Sequence, residues 1–133
     1  MKKNWKKYVV IITLLIVTLL VIRNKYFYNR LFSEEFCDSI VELQYVSYRN
    51  EVHTYEITDE KIIRKFAEVL YNNKYKKLPA VNEGGYTFKL LTEDEEYTIV
   101  MGGTSIGWKG KEYEAKEDFF EILQEIMDYL EIE

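Results

Sequence analysis

Tyr8-Val-Val-Ile-Ile-Thr-Leu-Leu-Ile-Val-Thr-Leu-Leu-Val-Ile22 is a run of fifteen residues without a charge, and its only hydroxyl-bearing aliphatics are Thr13 and Thr18. As a helix it spans about 22 Å, short of the ~30 Å hydrocarbon core of a bilayer. Its flanks make up the difference. Trp5 and Tyr8 stand at one end and Tyr26, Phe27 and Tyr28 at the other, the positions of the two aromatic belts. Lys6, Lys7, Arg23 and Lys25 have aliphatic stems that let their charges reach water. Residues 5–28 therefore read as one membrane crossing, with the lipid bilayer as the first partner.

Two other readings of the run are weaker. A core helix of a globular domain has a polar stripe at helical spacing, and none is visible here. A cleaved leader needs small residues near its end, but the run leads into Arg23-Asn24-Lys25 and no alanine precedes Ala67. Cys37 follows Ser33-Glu34-Glu35-Phe36, which lacks the small residues of a lipoprotein cleavage site. Lys2, Lys3, Lys6 and Lys7 on one side outnumber Arg23, Lys25 and Arg30 on the other. The positive-inside rule then puts the N-terminus in the cytoplasm and the rest of the chain outside. The expected organisation is an anchor with basic flanks over 1–30, a juxtamembrane linker over 31–39, and an extracytoplasmic domain over 40–133. Tyr26, Phe27, Arg30 and Leu31 can share a helical face, so the anchor helix is expected to run on to about Phe32.

Charge divides along the same boundary. Residues 1–30 carry +7 with no acid, and residues 31–133 carry −12. An acidic domain is unsuited to the phosphate backbone, which excludes nucleic acid as a partner. A single cysteine excludes an internal disulfide, and a single histidine excludes a site built on two imidazoles.

Beyond the anchor, Ile40–Tyr48 alternates as a strand, with Val41, Leu43 and Tyr45 opposite Glu42 and Gln44. Arg49-Asn50 turns into a return strand over 51–57. Thr58 is a candidate N-cap for a helix with the apolar stripe Ile62, Ile63, Phe66, Val69 and Leu70. Residues 74–85 read as a loop containing Lys74, Lys76, Lys77, Pro79 and Gly84-Gly85. Strands 86–92 and 97–101 form a hairpin about Glu93-Asp94-Glu95-Glu96. A glycine-rich stretch, 102–108, and the turn 109–111 lead into a short strand at 112–114. The closing helix, 116–130, turns Phe119, Phe120, Leu123, Ile126, Met127 and Leu130 inward. The order after the anchor is β-β-α-β-β-β-β-α, an α+β fold with a mostly antiparallel sheet and two amphipathic helices on one face.

Candidate chemistry is sparse, and no catalytic constellation, metal set or cofactor motif stands out, so a non-enzymatic chain is expected. Gly102 to Gly110 places glycines beside Thr104, Ser105 and Lys109, which could present amides and a cation to a phosphate. Walker spacing is absent, and tight hairpins require glycine for the same reason. On the hairpin reading, at least one of Gly102, Gly103 and Gly107 is expected at positive φ. Glu93 and Glu95 lack the spacing of a calcium loop. His53, Cys37 and an aspartate could be drawn as a triad only by ignoring how often a lone histidine is a surface residue. Arg64, Lys65, Lys74, Lys76 and Lys77 are candidate contacts to lipid headgroups or a partner. Twelve tyrosines in so small a chain put several on the surface, where they suit a protein-contact face.

The Lys-rich start with a short anchor, the helix after two strands, and a Gly-Gly…Gly-Trp…Lys-Glu-Tyr segment (102–113) running into a terminal helix resemble one family type. These are the small membrane-attached or lipoprotein-like extracytoplasmic domains of low-GC Gram-positive bacteria, of the YhfM-like type. The resemblance covers roughly Cys37 to Leu130. It implies a surface location, no defined activity and no functional residues, and this chain departs from the lipoprotein version in having no lipobox. The expected function is a membrane-tethered extracytoplasmic interaction or sensing domain. Alternatives are a small-ligand-binding or hydrolytic domain using 102–111, and an immunity-type protein that blocks a toxin.

Overall fold

The computed structural model describes residues 2–26, 28–79 and 85–132, without the side chains of residues 2, 3 and 23–26. The sequence readings at Lys2, Lys3, Arg23, Lys25, Tyr26, Phe27 and Gly84 that depend on side-chain or backbone placement lie outside the described residues. Helix α1 is Lys2–Tyr26 and contains the apolar span Asn4–Ile22, none of which is buried. By length and composition it can cross or associate with a bilayer. Trp5, Tyr8 and the aliphatic residues through Ile22 are exposed on every side. The two hydroxyls in the run turn back on the helix, Thr13 Oγ1 donating to Val9 O and Thr18 Oγ1 to Leu14 O, both at 2.8 Å. That i−4 bonding satisfies them without water, as a hydrocarbon environment requires.

The remainder packs a single seven-stranded antiparallel sheet. After α2 (Glu34–Asp38) come β1 (Glu42–Ser47), β2 (His53–Ile57), α3 (Glu60–Asn72), β3 (Tyr75–Lys77), β4 (Tyr86–Leu91), β5 (Glu96–Met101), β6 (Ser105–Trp108), β7 (Lys111–Ala115) and α4 (Phe120–Leu130). The strand order is β2-β1-β4-β5-β6-β7-β3. Strand register puts Ile57, Leu43, Leu90, Phe88, Ile99, Met101, Ile106 and Trp108 on one face, all buried. Against it lie Ile62, Ile63, Phe66 and Leu70 of α3 and Ile122, Leu123, Ile126 and Met127 of α4, also buried. The rings of Phe66 and Phe88 meet at 5.4 Å. Lys65 joins the two helices through Glu125 at 2.6 Å and Glu121 at 3.6 Å. This is the expected α+β architecture, with a short helix and an edge strand added.

Several boundaries differ from the sequence reading. α1 ends at Tyr26 rather than near Phe32, because the following backbone is taken by the sheet: Asn29 and Tyr75 exchange hydrogen bonds of 2.8 and 2.7 Å. Residues 31–39 are part of the packed unit, not a linker. Phe32, Cys37 and Ile40 are buried, and Phe32 lies 5.0 Å from Trp108 and 5.5 Å from Tyr75, ring to ring. The cap of α3 is Asp59, whose Oδ1 accepts from Lys61 N, while the Thr58 hydroxyl pairs with Tyr129. Residues 75–77 are not loop: β3 adds to the edge at β7, its lysines blunting an exposed edge. α4 starts at Phe120 because the amides before it donate elsewhere. Lys116 N bonds Lys74 O, Glu117 N bonds Asn73 Oδ1, and Phe119 N bonds Gly103 O. That late start buries Phe119 and leaves Phe120 in solvent.

Two buried acids beside this core make an alkaline prediction. Burial, with Asp38 adding, pushes the Cys37 thiol from 9.0 to about 11. Burial, with Cys37 adding, also raises the Tyr75 phenol, which donates to Leu70 O at 3.0 Å. The folded chain holds these protons after the unfolded chain has released them, so the stability they contribute is complete below pH 9 and is lost as pH rises. The loss should approach about 1.4 kcal/mol per pH unit for each titrating group. The urea midpoint should fall between pH 9 and pH 11, less steeply in Cys37→Ala. An equal midpoint at both values would refute the assignment.

Candidate functional site

The glycine-rich stretch folds as turns and strand, not as a cradle. Gly102 N donates to Ser105 O, Ala115 N to Thr104 O, and β6 begins at Ser105. Lys109 lies at the other end of that strand, in the turn to β7, with φ of 50° followed by Gly110 at 75°. Thr104 and Ser105 are therefore separated from Lys109 by the length of β6. The expected positive φ at Gly102, Gly103 or Gly107 is not found; among the described residues it occurs at Gly85 and Gly110 and at the non-glycines Asn50, Lys109 and Glu131. Each of the last three sits in a tight turn or helix end that the surrounding backbone imposes.

The basic residues are likewise dispersed. Lys65 is committed to Glu125 and Glu121, and the hydrogen bond to Glu125 leads in holding its ammonium charged. Arg64 is exposed beside a groove of about 440 Å³ between α2 and α3, whose rim carries Glu34, Asp38, Glu60 and Glu68. Lys76 and Lys77 are on β3, opposite Glu114 and Tyr113, and Lys74 is exposed just before them. Arg30 donates to the Tyr71 hydroxyl at 2.7 Å with its guanidinium 4.2 Å from the ring centre. His53 is exposed, 4.0 Å from Glu51, whereas Cys37 is buried with a raised thiol pKa, the opposite of what a nucleophile needs. Glu93 and Glu95 flank the β4–β5 turn, where the Thr92 hydroxyl accepts from Glu95 N at 3.1 Å.

What the sheet does build is a hollow of about 800 Å³ on the face away from the helices. Its floor follows one cross-strand row, Thr87–Val100–Gly107–Glu112, each residue the direct partner of the next. Gly107 supplies the depth. A Cβ there would stand 3.5 Å from Glu112 Oε2 and 3.7 Å from Val100 Cβ. Glu112 is only 4% exposed. Lys109 and Lys111 lie at the rim, yet the Lys109 ammonium points to the aromatic cluster, 5.5 Å from the Trp108 ring and 5.7 Å from Tyr97. Lys89, on the same face, is paired with Glu96 at 3.1 Å. Of the side chains proposed from sequence as ligand, headgroup or partner contacts, only Lys109 borders this hollow, although the glycine-rich stretch also supplies Gly107 and Gly110. Glu112 went unmarked because alternation along β7 predicts merely a solvent-facing acid.

No protein-family model, curated protein or solved structure matches the chain.

Proposed function

We propose that this chain is a membrane-tethered interaction or sensing domain, anchored by α1 with its N-terminus in the cytoplasm and its α+β domain outside. The observation that supports this is the independence of the two parts. The run Tyr8–Ile22 of α1 is apolar on every side and none of the span Asn4–Ile22 is buried, while the core cluster is drawn from residues 31–132. A helix that the fold does not need, with its hydroxyls satisfied internally, is suited to holding a domain at a bilayer. The acidic domain with its open sheet face would then meet partners on the outer surface, as the resemblance to extracytoplasmic domains also implies.

The test is fractionation combined with protease protection. The full-length chain is expected to stay in the membrane pellet through an alkaline carbonate wash. Protease added outside intact cells should remove the domain and spare the N-terminal segment. A mature chain beginning between residues 25 and 37 and released to the medium, or a domain protected from external protease, would overturn the reading.

A further inference from the structure

The hollow on the face away from the helices contains a carboxylate that no described protein group pairs. Glu112 is 4% exposed, and among the described residues no hydrogen bond or ion pair of its carboxylate is found; since no side-chain oxygen fully shut off from water lacks a partner, the carboxylate keeps its remaining contact with water at the hollow. A carboxylate that meets water only at a hollow is poorly hydrated, and a cation of fitting shape can take the place of that water. We infer that the hollow is a binding site for an organic cation with hydrogen-bond donors, an alkylammonium or guanidinium group, anchored by Glu112.

The surroundings fit that class of ligand. Glu112 is held by backbone on both sides, register-paired with Gly107 and accepting from Leu78 N at 2.9 Å through its carbonyl. Its side chain therefore starts from a fixed position rather than a loop. The bare Gly107 and the Val100 side chain give the stem of a ligand an apolar bed beside the carboxylate. The hydroxyls of Thr87 and Thr98, both at the hollow, have no protein partner among the described residues and can accept the remaining donors. Lys109 is turned to the aromatic rings and Lys89 to Glu96, and among the described residues no ion pair joins Lys111 at the rim to Glu112. A metal ion is a poorer fit, since no group of three His, Cys, Asp or Glu assembles among the described residues. An anion would meet the carboxylate head-on. The volume of about 800 Å³ exceeds a guanidinium and leaves room for the chain that bears it.

This deepens the interaction reading above but does not depend on the membrane side on which the domain lies. The test uses the full chain in detergent micelles with acetyl-arginine amide, a capped peptide containing one arginine, and the citrulline counterpart of each. Both arginine probes are expected to bind saturably, with the neutral citrulline forms at least about tenfold weaker. Equal affinity of the two arginine probes assigns the site to free cations, and tighter binding of the peptide assigns it to a protein segment. Glu112→Gln should abolish the preference for arginine. It should leave the ligand-free melting midpoint unchanged or higher, because no described protein group pairs with the charge that is removed. A carboxylate with a purely structural role would give a fall instead. Gly107→Val, which fills the hollow while suiting a strand, should block both arginine probes. Equal binding of arginine and citrulline forms, no binding of either, or a lowered midpoint in Glu112→Gln would overturn the site. Any of these alongside retention after the carbonate wash would remove the site and leave the tether intact.

Discussion

Phe119→Ala is expected to destabilise the domain by about 3–5 kcal/mol, the range for deleting a buried aromatic ring. Phe120→Ala, one residue on, should stay within about 0.5 kcal/mol, the usual range for an exposed position. The two phenylalanines are 1% and 68% exposed. Phe119 stacks on Tyr75 with ring centres 6.4 Å apart and sits where the chain passes from β7 into α4, its amide bonded to Gly103 O. Removing its ring opens a cavity in the core beside Tyr75 of the edge strand. Against a total stability of about 5–15 kcal/mol, such a loss would leave part of the population unfolded. Urea denaturation of the full chain in micelles, followed by Trp108 fluorescence, provides the comparison. Equal losses at the two positions would mean that α4 begins earlier and turns both rings inward.

That pair also shows where the sequence was legible. Strong periodicity carried most of the core: Phe66, Leu70, Leu123 and Met127 are buried against Leu43, Phe88, Leu90 and Ile99, as the stripes and alternations indicate. Phe120 was expected with them and is not. The apolar spacing of a helix does not reveal its first residue, and here that residue is set by Asn73, Lys74 and Gly103, which capture amides from far along the chain. Asn73 is itself buried, its Nδ2 donating to Glu117 O at 2.9 Å. The same physics hid β3. Three residues with two lysines have no pattern, and their strand character comes from pairing with Ala115, Glu114 and Tyr113.

The hollow was less legible still. Its depth depends on Gly107 facing Glu112 across a strand pair, and register is a property of the folded sheet. From sequence, Gly107 belonged to a conspicuous cluster with Gly102 and Gly103, and the cluster drew attention to Thr104 and Ser105. Composition marked the right hairpin, but only the register shows which side chains share a face. The anchor lies at the other extreme. An uncharged run of aliphatics is readable without any partner, because its environment is solvent or lipid and not the rest of the chain.

Gly85→Ala is expected to have the largest effect of any substitution at the described glycines, about 3 kcal/mol or more. Gly85 has φ of 139°, a conformation that L side chains rarely adopt, and occupying it costs on the order of 1–3 kcal/mol. Space is a second and independent obstacle. A Cβ there would lie 2.4 Å from Met101 O, 2.6 Å from Met101 C and 2.8 Å from Gly102 N, all backbone. These atoms cannot rotate away as a side chain would. Relief requires moving the end of β5 from the start of β4, where Tyr86 pairs with Met101 at the centre of the sheet. Gly103→Ala supplies the control. Its Cβ would meet only the exposed Phe120 ring at 3.5 Å, and its φ is not positive. That substitution should be neutral, or stabilising by the ~0.4–1 kcal/mol gained from restricting the unfolded chain. Denaturation midpoints of the two variants should therefore move in opposite directions or differ by most of the Gly85 cost. If Gly85→Ala unfolds no more easily than Gly103→Ala, the close approach of residue 85 to the Met101 carbonyl is wrong, and with it the register that aligns β4 and β5.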